Sequence, residues 1–291
     1  MSRGRVQSRK GRRMANRSRG GDVVNFLFLC AVGVFMALPL VYVIVNAFKP
    51  LDEIFMFPPR FFVRNPTMNN FSELYIVLAD SWVPFSRYVF NTLFITATGT
   101  LFHVLFASMA AFALCKIDLP GKNLLFFIVV NSLMFTPAVT GVPNYMIMTN
   151  LRLTDTYWSI ILPVVGGSMG LFLMKQFMST VPDALIEAAK IDGAHQMTIF
   201  WRVVMPQVKP AWLTLVIFCV QNLWNANGGV YIYTEHMKTL PYALSQIVGG
   251  GIARTGVAST VSLIMLVVPV CTFILTQSNI VETMASSGIK E

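Results

Sequence analysis

Six stretches of nearly unbroken apolar residues, separated by polar segments of unequal length, organise this chain. They cover 23–48, 89–115, 124–148, 158–174, 211–233 and 257–281. Each is long enough, or nearly so, to cross a hydrocarbon core of about 30 Å. Lys, Arg, Asp and Glu are absent from all six except near their ends. In lipid a spanning segment must satisfy its own backbone hydrogen bonds, so each stretch predicts an α-helix. The expected architecture is all-α: an integral membrane protein with six transmembrane helices.

The polar segments between them differ in kind. Residues 1–22 form a tail rich in Arg, Gly and Ser, expected to stay disordered until it meets a membrane. The 49–88 segment carries Pro58-Pro59, Pro66 and Asn69-Asn70, which predicts a structured loop with one short helix over 71–78. The 234–256 segment holds Gly249-Gly250-Gly251 and Thr255-Gly256, expected to be flexible backbone. The chain thus divides into the tail, a first helix over 23–48, an outside loop over 49–88 and a core over 89–281. That core includes a polar loop over 175–209, and a short tail over 282–291 follows it.

Composition narrows the class. Hydrophobic residues make up 55% of 291 positions and charged residues 12%, against roughly 25% charged in a soluble domain. That excludes an ordinary soluble enzyme. The first span follows eight Lys/Arg, yet it is too long for a signal-peptide core and has no small-x-small site after it, so it is read as retained. With six spans both termini lie on one side. The N-terminal tail, the 116–122 and 175–209 loops and Lys290 bring fifteen basic residues to that side, against seven on the other. An excess of Lys and Arg marks the cytoplasmic face, so termini and polar loop are expected there and the 49–88 loop is extracytoplasmic. The net charge of +9 resides almost wholly in the eight tail residues from Arg3 to Arg19. Beside a membrane span these favour anionic lipid rather than nucleic acid. Cys30, Cys115, Cys219 and Cys271 are scattered without metal-ligand or disulfide spacing.

The most informative polar segment reads EAAKIDGAHQMTIFWRVVMPQVKP from Glu187 to Pro210. Thr180-Val181-Pro182-Asp183 predicts a helix start, with a hydroxyl N-cap, proline in the first turn and a carboxylate at the capping-box spacing. Leu185, Ala188 and Ala189 fall on one small apolar face. Gly193 supplies a positive-φ stop. A second amphipathic piece over 196–204 runs on to Pro206. Two short helices joined at a glycine make a compact knob that another surface could grip, with Glu187 free to pair with a basic residue. The blander possibility is a helical hairpin lying on the membrane.

The run Glu187, Ala188, Ala189, Asp192, Gly193, Ala194, Phe200, Pro206 and Pro210 strongly resembles the EAA loop of ABC-importer permeases, and the six-span layout extends the likeness to nearly the whole chain. Within that family the chain looks most like the carbohydrate group of the maltose type. The resemblance implies a type I importer permease fold, with residues 182–200 as the coupling helix held by a separate ATPase. It implies a second permease subunit, an ATPase dimer and an extracytoplasmic solute-binding protein as partners, in the cytoplasmic membrane of a prokaryote. It also implies carbohydrate, notably oligosaccharide, as cargo. ATP and Mg belong to the partner ATPase, and no cofactor or metal is expected on this chain. Consistent with that division of labour, no G-x-x-x-x-G-K-[ST] phosphate loop occurs. No span carries a carboxylate or lysine of the kind that ion-coupled carriers use.

Candidate pathway residues come from the polar positions inside apolar spans. The third span offers Asn131 and Thr136, with Thr140, Asn144, Pro137 and Pro143 nearby; the fifth offers Gln221, Asn222, Trp224 and Asn225, then Asn227. Amides and aromatic faces suit a sugar, although bonding between helices explains the same residues. Gly166-Gly167-Ser168-Met169-Gly170 matches the G-x-S-x-G hydrolase pattern, so an intramembrane serine hydrolase using Ser168 competes as a function of a different class. Small residues at Gly166 and Gly170 equally suit tight helix packing. The six-span layout would also serve a stand-alone carrier, or a permease for polyol phosphate, peptide or amino acid. His103, His195 and His236 show no metal-ligand spacing.

Overall fold

In the computed structural model, residues 19–79, 83–249 and 254–287 are described, and among them the chain is helical without strands. Most of the basic tail, Gly250 and Gly251, and the last four residues lie outside that set. Helix α1 spans Arg19–Ala47, and its apolar surface stands almost wholly exposed, with only its C-terminal end tucked in. It packs along α14, Thr255–Ser287, and otherwise presents hydrocarbon all round, as a lipid- or subunit-facing span must. The segment after it then forms α2, Leu51–Ile54, and α3, Asn69–Ala79, the latter covering the helix expected over 71–78. Asn70 ties this loop down by donating to the carbonyls of Ala47 and Lys49 at 3.0 and 2.9 Å.

The centre of the molecule is α4, Phe85–Lys116, which packs against α7, α8 and α12. Its buried positions include Ile95, Gly99, Ala107 and Ala111, small or β-branched side chains that admit close neighbours. The third span differs from expectation. Instead of one helix it forms α5, Lys122–Ser132, and α6, Pro137–Asn150, bent by 112° at a four-residue break. Pro137 cannot continue a helix from the preceding residue, which it pushes toward extended backbone; Thr136 accordingly sits at ψ 155°. The fourth span is α7, Trp158–Val165, and α8, Ser168–Ser179, interrupted at Gly166-Gly167. The fifth, α12, is Lys209–Trp224 and stops well short of residue 233.

Of the 234–256 loop, residues 250–253, which include two of the three consecutive glycines, lie outside the described residues, and the part up to Gly249 is largely helical. It contains a 3₁₀ turn, Glu235–Met237, and the amphipathic helix α13, Leu240–Val248. Asn91, fully buried on α4, donates to the carbonyls of His236 and Lys238 at 2.9 and 2.8 Å and accepts from the Tyr157 hydroxyl at 2.7 Å. Thr92 accepts from the Leu240 amide at 2.7 Å. Two buried polar side chains thereby fasten the loop to the central helix, and apolar Leu240, Leu244 and Ile247 pack beneath it.

Candidate functional site

Helix α8 runs to Ser179 and therefore takes Lys175, leaving a shorter polar loop than 175–209. Helix α9, Asp183–Ile191, follows after three residues. Thr180 is not its N-cap: the Thr180 hydroxyl donates to the Phe177 carbonyl at 2.8 Å and closes α8 instead. Pro182 occupies the N-cap position without a side-chain bond. Asp183 opens the helix and accepts from the Lys116 ammonium at 2.7 Å, and the same ammonium donates to the Val181 carbonyl at 2.7 Å. This hydrogen bond from Lys116 and the charge behind it hold the Asp183 carboxyl below its usual range. The stabilising pair is complete above the ordinary carboxylate pKa and is lost as pH falls through the depressed one.

The stop is a Schellman motif in every bond. The Gly193 amide donates to the Lys190 carbonyl at 3.0 Å and the Ala194 amide to the Ala189 carbonyl at 2.9 Å, the pairing that defines the motif with glycine at its left-handed position. Gly193 has φ +78°, and no atom lies within 4 Å of where a Cβ would stand. Any penalty for a side chain here is backbone strain alone, roughly 1–2 kcal/mol for an ordinary residue and more for a β-branched one. Gly193→Val is therefore expected to re-aim the second half of the knob and abolish energy coupling while membrane insertion persists. Gly193→Asn, which tolerates left-handed backbone, is expected to retain most activity. Equal ATP-driven transport by the valine and asparagine variants contradicts this account.

The second half is α10, Gln196–Thr198, then a π-helical turn over Ile199–Val204, then α11, Met205–Gln207. Helical structure thus passes through Pro206, and the 82° bend into α12 comes at Val208. A π-helical turn is uncommon and is frequent at functional sites. Phe200 inside it is 1% exposed, its ring 5.4 Å from Phe112 of α4. Of the EAA-pattern residues, Phe200 is thus not a surface contact but the anchor of the knob, packed with Ile186, Ile199, Val204 and Met178 in one cluster. Pro206 is exposed at the far end.

Glu187, Ala188, Asp192 and Gly193 face outward, Ala189 and Ala194 lie half-buried, and Glu187 makes no ion pair among the described residues. The expected apolar face splits: Leu185 and Ala188 point outward, while Ile186 turns into the core at 4% exposure. Three residues not singled out from the sequence join the outer surface, Ile191 at 86%, Met197 at 49% and Trp201 at 51% exposure. Their signal was an apolar type at positions where Ile186, Ile199 and Phe200 already fill the inward face. Exposed apolar groups on an anchored projection suit contact with another protein or with the membrane surface.

The pathway candidates separate into two kinds. Trp224 is buried, and its indole N–H donates to the Met265 carbonyl of α14 at 3.0 Å. That carbonyl lies four residues before Pro269, which has no N–H to reach it. Trp224 is thus buried within this chain, where it satisfies an orphaned acceptor on α14. Asn131 donates back to the Phe127 carbonyl of its own helix at 2.8 Å, and Thr136 is exposed at the break between α5 and α6. Gln221, Asn222 and Asn225 are exposed together with Phe218, at the 3–4 spacing of one helix face. Asn225 ends the helix and donates to the Gln221 carbonyl at 2.7 Å. The structure brings these three amides onto one open surface of α12 and excludes Trp224 from it.

The G-x-S-x-G segment is a packing joint. A Cβ on Gly170 would stand 2.1 Å from His103 Nε2, so glycine alone admits the imidazole between α4 and α8. His103 Nδ1 lies 3.1 Å from the Val165 carbonyl, an acceptor freed by the break in the fourth span, and therefore carries the proton. Ser168 hydrogen-bonds Ser132 across to α5. No acid completes a triad there, and no group of three metal-ligating side chains occurs among the described residues.

Four helices are long and apolar enough to cross a membrane, six if each bent pair counts as one span, with a polar helical knob before the fifth. That arrangement is the layout of a multi-pass membrane protein. Residues 11–283 match the binding-protein-dependent transport system inner membrane component family, and the chain belongs to it. It is thus an ABC-transporter permease and not itself a catalytic enzyme. Protein LplC of Bacillus subtilis (strain 168) is 34% identical over 225 residues, covering 76% of this chain and 72% of the relative. The polygalacturonan/rhamnogalacturonan transport system permease protein YtcP of the same organism is 28% identical over 220 residues, covering 76% and 74%. Among solved structures, a bacterial ABC transporter that imports the acidic polysaccharide alginate superposes with a TM-score of 0.75. It is 19% identical and covers 90% of this chain and 98% of that one, a likeness of fold.

Proposed function

We propose that this chain is the translocation subunit of an ATP-driven importer for a carbohydrate of oligosaccharide or larger size, coupled to its ATPase through the knob from Asp183 to Pro206. The observation that carries the reading is the knob itself: a Schellman-stopped helix, anchored by Phe200, that leaves Glu187 without an ion pair among the described residues and Ile191 and Trp201 largely exposed. A rigid projection of this kind transmits displacement to α4, α8 and α12 because it shares their buried cluster. The working unit contains a second permease subunit, an ATPase dimer that supplies ATP and Mg, and an extracytoplasmic solute-binding protein. The distribution of basic residues supports placing both termini and the knob in the cytoplasm. YtcP, whose name specifies polygalacturonan and rhamnogalacturonan, supports a saccharide cargo. The amide face of α12 is suited to hydroxyl-rich ligands.

The test is co-purification followed by reconstitution with a saccharide-binding protein from the same organism. Saccharide-stimulated ATP hydrolysis is the supporting result, with glycerol phosphate and peptide as competitors for the same role. Transport by this chain alone, without an ATPase, overturns it. Within the reconstituted system, Asn222→Leu and Asn225→Leu are expected to slow uptake several-fold while basal ATPase is kept. Each hydrogen bond lost to cargo costs about 1 kcal/mol. If both variants transport normally and neither position reacts with an impermeant thiol reagent as cysteine, these amides are packing groups.

A further inference from the structure

A cavity of about 240 Å³ opens where α4 and α8 end and α5 begins, and three lysines, Lys116, Lys122 and Lys175, line it with Leu114, Phe126 and Asp183. Only one of its lining residues is acidic. The Asp183 carboxylate is engaged by Lys116, whose side chain is 4% exposed. Lys122 reaches Asp118 at 3.2 Å, but that carboxylate is fully open to solvent, and such exposed pairs bind weakly. Lys175 has no acidic partner among the described residues; its ammonium stands 4.0 Å from the centre of the Phe126 ring. No side chain caps the N-terminus of α5, and Lys122 and Asn123 of its first turn lie on the cavity wall. Positive charge, the first turn of α5 and an apolar wall of Leu114 and Phe126 therefore meet at the ends of two spans.

We propose that this pocket binds a phosphate group, supplied by the phosphodiester of an anionic phospholipid or, with the same chemistry, by free phosphate. Basic pockets between membrane helices on the cytoplasmic side take anionic headgroups, and a helix N-terminus adds aligned donors for the phosphate oxygens. The apolar wall fits the glycerol and acyl stem of a lipid, which favours that source. Because Lys116 also holds Asp183, the first residue of α9, an occupied pocket competes for the ion that fixes the knob to α4. The site thereby links the membrane's anionic lipid to the stiffness of the coupling helix. The inference rests on the orientation proposed above only for its choice of leaflet.

The full chain, with whatever subunits co-purify, is placed in nanodiscs of phosphatidylcholine doped with phosphatidylglycerol, and retained lipid is read by native mass spectrometry. Lys122→Gln/Lys175→Gln is compared with Lys190→Gln/Arg202→Gln, which removes equal charge from the exposed knob. A lysine beside an anionic headgroup contributes roughly a factor of five. The pocket variant is therefore expected to hold phosphatidylglycerol about thirty-fold less well, and the knob variant as well as the wild type. A second arm adds inorganic phosphate at constant ionic strength and follows the unfolding temperature. A rise in the wild type that the pocket variant lacks supports the site with free phosphate as its source. Equal lipid loss in both double variants, or neither lipid retention nor a phosphate-dependent rise, overturns the proposal. None of these readouts needs ATP or cargo, so their failure leaves the transport reading standing, and failure of transport leaves them interpretable.

Discussion

Phe200→Ala is expected to detach the coupling knob from the permease body. The side chain is 1% exposed, with ring contacts to Phe112 at 5.4 Å and Trp201 at 4.8 Å. Truncating a fully buried phenylalanine costs about 3–5 kcal/mol through lost burial and the cavity left behind. A segment as small as α9 to α11 has few other buried side chains to offset that, so the loss falls on local rather than global stability. The variant should insert normally, lose co-purifying ATPase and become cleavable between 180 and 208 under native conditions. Phe200→Leu, which keeps most of the volume, should retain most coupling. Protease resistance and ATPase retention equal to wild type in the alanine variant would show that α9 alone holds the knob.

Glu187→Lys acts on the opposite face of the same element. The Glu187 side chain is exposed and unpaired within the described chain, whereas Lys190 and Arg202 already make the knob basic nearby. Against a basic partner, reversing the charge removes an attraction and adds a repulsion. Loss of one member of a desolvated interfacial pair costs about 2–5 kcal/mol. The reconstituted variant is expected to lose cargo-stimulated ATP hydrolysis, with the thermal stability of the isolated chain unchanged. This contrast with Phe200→Ala separates docking from anchoring. Normal stimulation by the lysine variant removes Glu187 from the interface.

How far each feature could be read ahead depended on how local its cause is. The Gly193 stop was legible because its bonds close within five residues and only glycine takes φ +78° without strain. Thr180 misled for a related reason: a hydroxyl before Pro182 suits either the end of one helix or the start of the next. What decided it was that α8 runs on to Ser179. The break in the third span was hidden because Leu133, Met134 and Phe135 keep hydropathy high across it. Hydropathy records solvent preference and not chain direction. The anchoring of residues 236–240 was not legible either, because Asn91 and Thr92, which hold those turns, are far away in sequence.

By itself the sequence determined that this is an all-helical, multi-pass membrane protein with one polar knob and a glycine stop in it. Those properties follow from side-chain hydrophobicity, from the demand that lipid-buried backbone bond to itself, and from short-range helix signals. Only the tertiary structure decided which motif residues face a partner and which face the core. Phe200 became an anchor because Phe112 stands opposite it, and Trp224 became a clamp because Pro269 orphans a carbonyl on the neighbouring helix. Gly170 became a slot because His103 fills it. In each case the partner is distant along the chain, and residue type fixes what a side chain can bond while the packing of helices selects what it does bond.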